Sequence, residues 1–90
     1  MRAFRAIVSG RVQMVMYRDS AVRAARSLNI AGTVKNLQDG TVEVVAEGEE
    51  QALETYLKKL KRGSLFSHVE KVDVTWQAPT RTFTDFHIFF

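Results

Sequence analysis

An arginine that closes a strand-to-helix loop is the side chain best placed for chemistry in this sequence. The stretch from Ser9 to Arg18, S-G-R-V-Q-M-V-M-Y-R, follows a short run rich in β-formers (A-F-R-A-I-V-S, from Ala3) and precedes Ala21, Val22, Ala25 and Leu28, which recur at helical spacing. The first amides of a helix lack intrahelical partners and sit at the positive end of its dipole, so a loop of this kind can hold an anion. Arg18 would add a planar fork of donors matched to phosphate or carboxylate. The plain alternative is a solvated arginine at a helix start, and position alone does not separate the two. A second polar residue also stands in an unusual place. Asn36 falls at the end of a predicted strand, where asparagine fits poorly. Two adjacent crossings would bring it near the loop; otherwise its side chain caps the turn that follows.

Several other chemistries lack the residues they need. The chain has no cysteine, which removes disulfides, thiolate metal sites and thiol nucleophiles together. A phosphocysteine loop of the form C-x5-R would need Cys where Val12 stands, and the Walker pattern G-x4-G-K-[ST] does not occur. His68 and His87 are far apart in sequence, so no metal site is expected. No Ser-His-Asp grouping has support in the sequence.

The elements that must position these residues follow from composition and period. Ninety residues, 46% hydrophobic and 26% charged, suit a single soluble domain over 1–90 with one core. No apolar run reaches the roughly 20 residues needed to span a bilayer, and the start lacks a long apolar segment, so a cytoplasmic protein with no membrane partner is expected. The net charge of +3 is unevenly spread: residues 1–38 hold seven basic and one acidic side chain, +6, whereas residues 39–90 hold six and nine, −3. An anion would thus be drawn to the half that carries the loop.

In chain order, a first strand is predicted over Arg2 to Arg11 and a first helix over Asp19 to Asn29, with Asp19 and Ser20 suited to the opening turn. A second strand follows from Ala31 to Leu37, and the Asp-Gly pair within Q-D-G at 38–40 favours a type I′ hairpin turn. Its partner, Thr41 to Glu47, alternates Val42, Val44 and Ala46 with Glu43, Val45 and Glu47, one apolar face and one largely wet. Gly48 is expected to break it. Over Glu49 to Arg62, Leu53, Tyr56, Leu57 and Leu60 form one helical stripe, and Gly63 is placed for the C-cap. Lys58, Lys59, Lys61 and Arg62 read as a solvated helix end favoured by the dipole rather than as a nucleic-acid site. A strand is predicted from Val69 to Trp76, stopped by Pro79, and a last one on the alternation Phe86, Ile88, Phe90. Two helices cannot cover both faces of such a sheet. The expected fold is therefore an α+β, ferredoxin-like β-α-β-β-α-β sandwich with both helices on one face of a mostly antiparallel sheet. An RNA-binding domain of this topology would need stacking aromatics on its central strands; Thr41 to Glu47 carries none, so no nucleic-acid partner is expected.

G-R-V-Q-M-V-M-Y-R at 10–18 and G-T-V-K-N-L-Q-D-G-T-V-E-V at 32–44 closely resemble the two linked motifs of the acylphosphatase family. The similarity runs through A-E-G at 46–48 to the F-x-I at 86–88. The resemblance implies hydrolysis of the carboxyl-phosphate anhydride of small acyl phosphates to carboxylate and inorganic phosphate, without metal or cofactor. By the same resemblance Arg18 binds the transferring phosphoryl group together with backbone N–H groups of Gln13, Met14, Val15, Met16, Tyr17 and Arg18 itself. Inorganic phosphate or another anion would occupy the same loop. Asn36 would orient the attacking water, and with no base matched, the substrate's own phosphate oxygens would take the proton. A monomer is expected. One residue departs from the pattern: Met14 stands where the family has glycine, in the turn that wraps the phosphate, while Met16 fills a variable position. Glycine permits positive φ and close approach of backbone to ligand, which methionine does not do freely. A non-catalytic, phosphate-binding regulatory domain of the same fold is therefore the alternative.

Overall fold

The computed structural model describes residues 1–89; Phe90, the end of the predicted final alternation, lies outside them. The elements are β1 (Arg2–Arg11), α1 (Tyr17–Ser27), β2 (Ala31–Asn36), β3 (Val42–Gly48), α2 (Glu50–Arg62), β4 (His68–Gln77) and β5 (Phe86–Ile88). The five strands form one sheet in the order β4-β1-β3-β2-β5. β1 pairs antiparallel with β3 and β4, β2 antiparallel with β3, and β5 joins β2 in parallel. Two helices on one face of this open sheet make the expected ferredoxin-like sandwich.

Alternation decides which face they cover. Phe4, Ala6 and Val8 of β1, Val34 of β2 and Val42, Val44 and Ala46 of β3 are buried, and Leu53, Tyr56 and Leu60 of α2 and Tyr17, Ala21 and Ala25 of α1 close over them. Tyr56 meets Phe4 at 6.3 Å and Phe86 at 5.8 Å between ring centroids, so one aromatic of α2 bridges β1 and the edge strand β5 across the sheet's inner face. On the other face Arg5 pairs with Glu43 at 2.8 Å. Among the described residues no helix is long and apolar enough to cross a membrane.

The boundaries correct several expectations. α1 begins at Tyr17, two residues before Asp19, and ends at Ser27 rather than Asn29. Asn29 nonetheless stops it: at φ 57° it is left-handed, with Asn29 N donating to Arg26 O (3.2 Å) and Ile30 N to Ala25 O (2.9 Å), a Schellman ending that tucks Ile30 into the core. β3 continues through Gly48, which pairs with Arg2 instead of breaking the strand.

The hairpin between β2 and β3 is not a type I′ turn. Gly40 N donates to Leu37 O (3.2 Å), Leu37 N donates to Thr41 O (2.8 Å), and of the loop residues Gln38 to Gly40 only Gly40 has positive φ, 92°. This is a three-residue loop ending in a left-handed glycine, the other common hairpin solution.

Glu47 is not on a wet face. It is 3% exposed, and its carboxylate accepts Thr80 N (2.7 Å), Thr80 Oγ1 (2.9 Å) and Arg81 N (3.1 Å) from the segment between β4 and β5. Burial pushes its carboxyl up, but these three donors and the charge of Arg81 more than offset that and hold it below the ordinary carboxylate range.

Candidate active site

The loop from Val12 to Met16 is tied to the protein at every second residue and turns at the residues between. It leaves β1 through a register shift at Ser9/Gly10, where Gly10 has φ 120° and a Cβ would lie 2.2 Å from His68 O. Val12 is buried and fixes the loop's start in the core. Gln13 Nε2 donates to Leu37 O and to Thr41 O, both at 2.8 Å, straddling the β2–β3 hairpin. Val15 O accepts Ser64 Oγ at 2.9 Å, from the connection after α2. The Tyr17 hydroxyl donates to Leu60 O near the end of α2 (2.8 Å), and Tyr56 returns the bond from α2 to Ala21 O of α1 (2.9 Å). Burial raises the pKa of both phenols, so they remain protonated donors.

The residues between these ties are left-handed: Met14 at φ 60° and Met16 at φ 62°, ψ 21°. Their side chains are 98% and 61% exposed. Left-handed residues at alternate positions belong to the backbone pattern that turns successive amides toward one side and forms an anion-binding concavity. Met16 is also the N-cap of α1, and the first helical rung is Ser20 N to Met16 O (3.1 Å). The amides of Tyr17, Arg18 and Asp19 thus precede the helical ladder, at the positive end of the dipole. Val12, Met14, Met16, Tyr17, Arg18 and Asp19 line a depression of about 70 Å³, with Arg18 half-buried at its edge. Among the described residues no three His, Cys, Asp or Glu side chains gather where they could hold a metal ion.

Asn36 ends β2, in register with Val42, and lies one residue before the carbonyl that Gln13 grips. It does not line the depression itself. Its side chain is not the cap of the turn, because Asp39 Oδ1 accepts Thr41 N (3.0 Å) and Thr41 Oγ1 (2.6 Å) and fills that role. Asn36 Oδ1 is buried and has no hydrogen-bond partner among the described residues. A buried acceptor left so costs about 1–3 kcal/mol unless a donor from outside the chain reaches it. A larger open depression of about 620 Å³, against Arg26, Asn29 and Asp85, shares no residue with the loop. There Arg26 is already engaged by Asp85 (3.4 Å) and Phe86 O (3.0 Å).

Sequence reasoning placed Gln13 in the loop for its backbone amide and missed its side chain, which joins the loop to the strand of Asn36. It also missed Ser64, whose only signal was a hydroxyl just past a helix end.

Residues 4–88 match the family model described as Acylphosphatase. Among curated proteins, the chain is 51% identical over 71 residues to an acylphosphatase of Thermus thermophilus, covering 79% of this chain and 81% of that one. It is 42% identical over 88 residues to an acylphosphatase of Methylococcus capsulatus, covering 98% and 96%. Among solved structures, the crystal structure of acylphosphatase from Bacillus subtilis superposes over the full length of both chains with a TM-score of 0.97 at 40% identity.

Proposed function

The chain belongs to the acylphosphatase family, hydrolases of the carboxyl-phosphate bond of small acyl phosphates, and from that premise we propose that Arg18 and the loop amides bind the phosphoryl group while Asn36 orients the water, with no metal ion. The observation that carries this reading is the pair of left-handed residues, Met14 and Met16, directly ahead of Arg18. Amides of Gln13 to Arg18 meet the phosphoryl oxygens, and the guanidinium neutralises charge as the bond to the acyl oxygen stretches. Water attacks phosphorus in line, the anhydride P–O bond breaks, the carboxylate departs, and the water's proton passes to a phosphoryl oxygen. Little covalent help is required, since the carboxylate is already a good leaving group and the site need only position and stabilise. The buried, unpartnered Oδ1 of Asn36 supports its role, because a water there would satisfy that atom while presenting its own oxygen. The alternative of a non-catalytic regulatory domain is not favoured by the family match. The reading extends to a cytoplasmic monomer acting on small molecules, with neither nucleic acid nor membrane as partner.

The test is phosphate release from acetyl phosphate with EDTA present, on three proteins. The parent should turn over undiminished in EDTA. Arg18→Ala should lose phosphate binding and turnover together, because it removes charge from ground and transition states alike. Asn36→Ala should lose turnover while phosphate still binds. A requirement for added divalent metal, or full activity in Asn36→Ala, would overturn the respective assignment.

A further inference from the structure

With no cysteine in the chain, its only sulfur atoms are the thioethers of three methionines, and two of these stand on the anion loop. Met14 is almost wholly exposed and Met16 more than half exposed, so packing gives no account of either side chain. Both line the depression in company with Tyr17, Arg18 and Asp19. The third, Met1, is also exposed, but it precedes β1 at the end of that strand opposite the loop. The sulfur that an oxidant can reach is thus concentrated where the anion would sit.

A thioether is a weak acceptor, so it has little to offer the amides of the loop and the two side chains rest in water. Oxidation reverses that. In the reaction with hydrogen peroxide the sulfur lone pair attacks one peroxide oxygen and the O–O bond breaks. The sulfur loses two electrons and keeps that oxygen, whose proton passes to the departing hydroxide, which leaves as water. The product is a sulfoxide, polar and chiral where the thioether was apolar, with an oxygen at the negative end of a strong dipole. Met14 and Met16 would then carry good acceptors on the same residues whose backbone surrounds donors awaiting an anion. Resting on the reading of the loop as the phosphoryl site, we propose that Met14 and Met16 are a modification site for hydroperoxides, and that their sulfoxide oxygens close the cradle by bonding the loop amides as internal competitors of the phosphoryl group. Methionine sulfoxide reductases, one for each sulfoxide epimer, reopen it. Tethered to the loop, such a competitor acts at a high effective concentration and needs no partner.

The test compares the parent before and after hydrogen peroxide, once peptide mass spectrometry shows sulfoxide at Met14 and Met16, by titration with inorganic phosphate and steady-state hydrolysis of acetyl phosphate. Blocking hydrogen bonds to a charged group is worth about tenfold or more in affinity, so Kd for phosphate and KM should each rise by at least about tenfold. An internal competitor leaves the saturated site intact, so kcat and Tm should change little. The two reductases together should restore the starting values on the parent itself. The variant Met14→Leu/Met16→Leu keeps both Cβ atoms and Met1 but has no sulfur on the loop, and it should retain after peroxide whatever Kd and KM it had before. Unchanged binding in the doubly oxidised parent, a fall in kcat with KM unmoved, or a loss that the reductases fail to reverse would overturn the proposal. So would an equal loss in the leucine variant, or thioethers at 14 and 16 that resist peroxide while Met1 is consumed. The untreated parent is read first: if it binds no phosphate, the phosphoryl reading of the loop falls and this proposal with it. If it binds phosphate without turning over acetyl phosphate, only the hydrolytic reading falls, and the change in Kd still decides the modification site.

Discussion

Replacing Met14 by glycine tests whether the loop stores strain. At φ 60° a residue with a Cβ carries a penalty of about 1–2 kcal/mol, which glycine does not. The 98% exposure of Met14 means that its side chain contributes almost no packing to lose. Glycine gives back about 0.5–1 kcal/mol through the greater freedom of the unfolded chain. The net expectation for Met14→Gly is a stabilisation of about 0.5–1 kcal/mol, a rise in Tm of roughly 2–8 °C for a domain of this size. The kinetic expectation depends on where the strain is relieved. If the free loop spends part of its time out of the left-handed form, apparent affinity is lowered by the fraction that remains competent. Glycine then tightens phosphate binding and raises kcat/KM for acyl phosphates, up to about tenfold, the equivalent of about 1.4 kcal/mol.

Thermal melts, phosphate titration and steady-state kinetics on Met14→Gly and Met14→Ala separate the causes. Alanine shortens the side chain but keeps the Cβ, so it should match the parent if strain is the cause and match glycine if overhang of the thioether is. A glycine variant that is less stable, with unchanged or poorer kcat/KM, would refute the strain argument and show a loop fully adapted to methionine.

Gln13→Leu should cost about 1–3 kcal/mol in urea unfolding by removing two hydrogen bonds to the hairpin, whose carbonyls Leu37 O and Thr41 O keep only their backbone donors Gly40 N and Leu37 N, and should lower kcat more than it raises KM, because the cradle and Asn36 lose their shared anchor. Combined with Met14→Gly in a double-mutant cycle, its stability cost should be reduced, since a loop freed of one strained residue leans less on its ties; strict additivity would count against that coupling. Glu47→Gln should destabilise at neutral pH, where the carboxylate is ionised and accepts three donors. Because its folded pKa is lowered, that stability is present above the unfolded value and is lost as pH falls through the folded one. The gap in Tm between the parent and Glu47→Gln should therefore close in acid, and a gap that widened there would reverse the assignment.

Periodic segments were legible in the sequence because one residue's burial predicts its neighbours'. The stripe Leu53, Tyr56, Leu57, Leu60 gave α2 almost to the residue, and the order of elements followed from such segments. Local chemistry was legible where it is local: Asn29 and Gly63 do end their helices. What could not be read depends on partners brought from far along the chain. Glu47 alternates like a wet-face residue, and only Thr80 and Arg81, more than thirty positions on, make its burial tolerable. Gln13 looks like one more loop residue until Leu37 and Thr41 arrive beneath it. The left-handed state of Met14 was suggested by the family's glycine; that of Met16, at a position the family varies, carried no such mark.

The alternation along the loop explains how two methionines can stand in that conformation. A strained backbone persists only where its surroundings over-determine it. Here Gln13, Val15 and Tyr17 are each fixed from outside the loop, by the hairpin, by Ser64 and by the end of α2. Four hydrogen bonds at a net of about 0.5–1.5 kcal/mol each supply about 2–6 kcal/mol, against about 2–4 for two left-handed residues with side chains. The two sums are close enough that the loop holds its shape without glycine yet has little to spare. This chain relies on the packing of its two helices and its hairpin to hold the turn, so damage to the Tyr17–Leu60 or Gln13–Leu37 contact should reach the anion cradle directly. Positioning of Arg18 is in that sense a property of the whole sandwich: the guanidinium begins a helix whose first turn is set by bonds to three other elements.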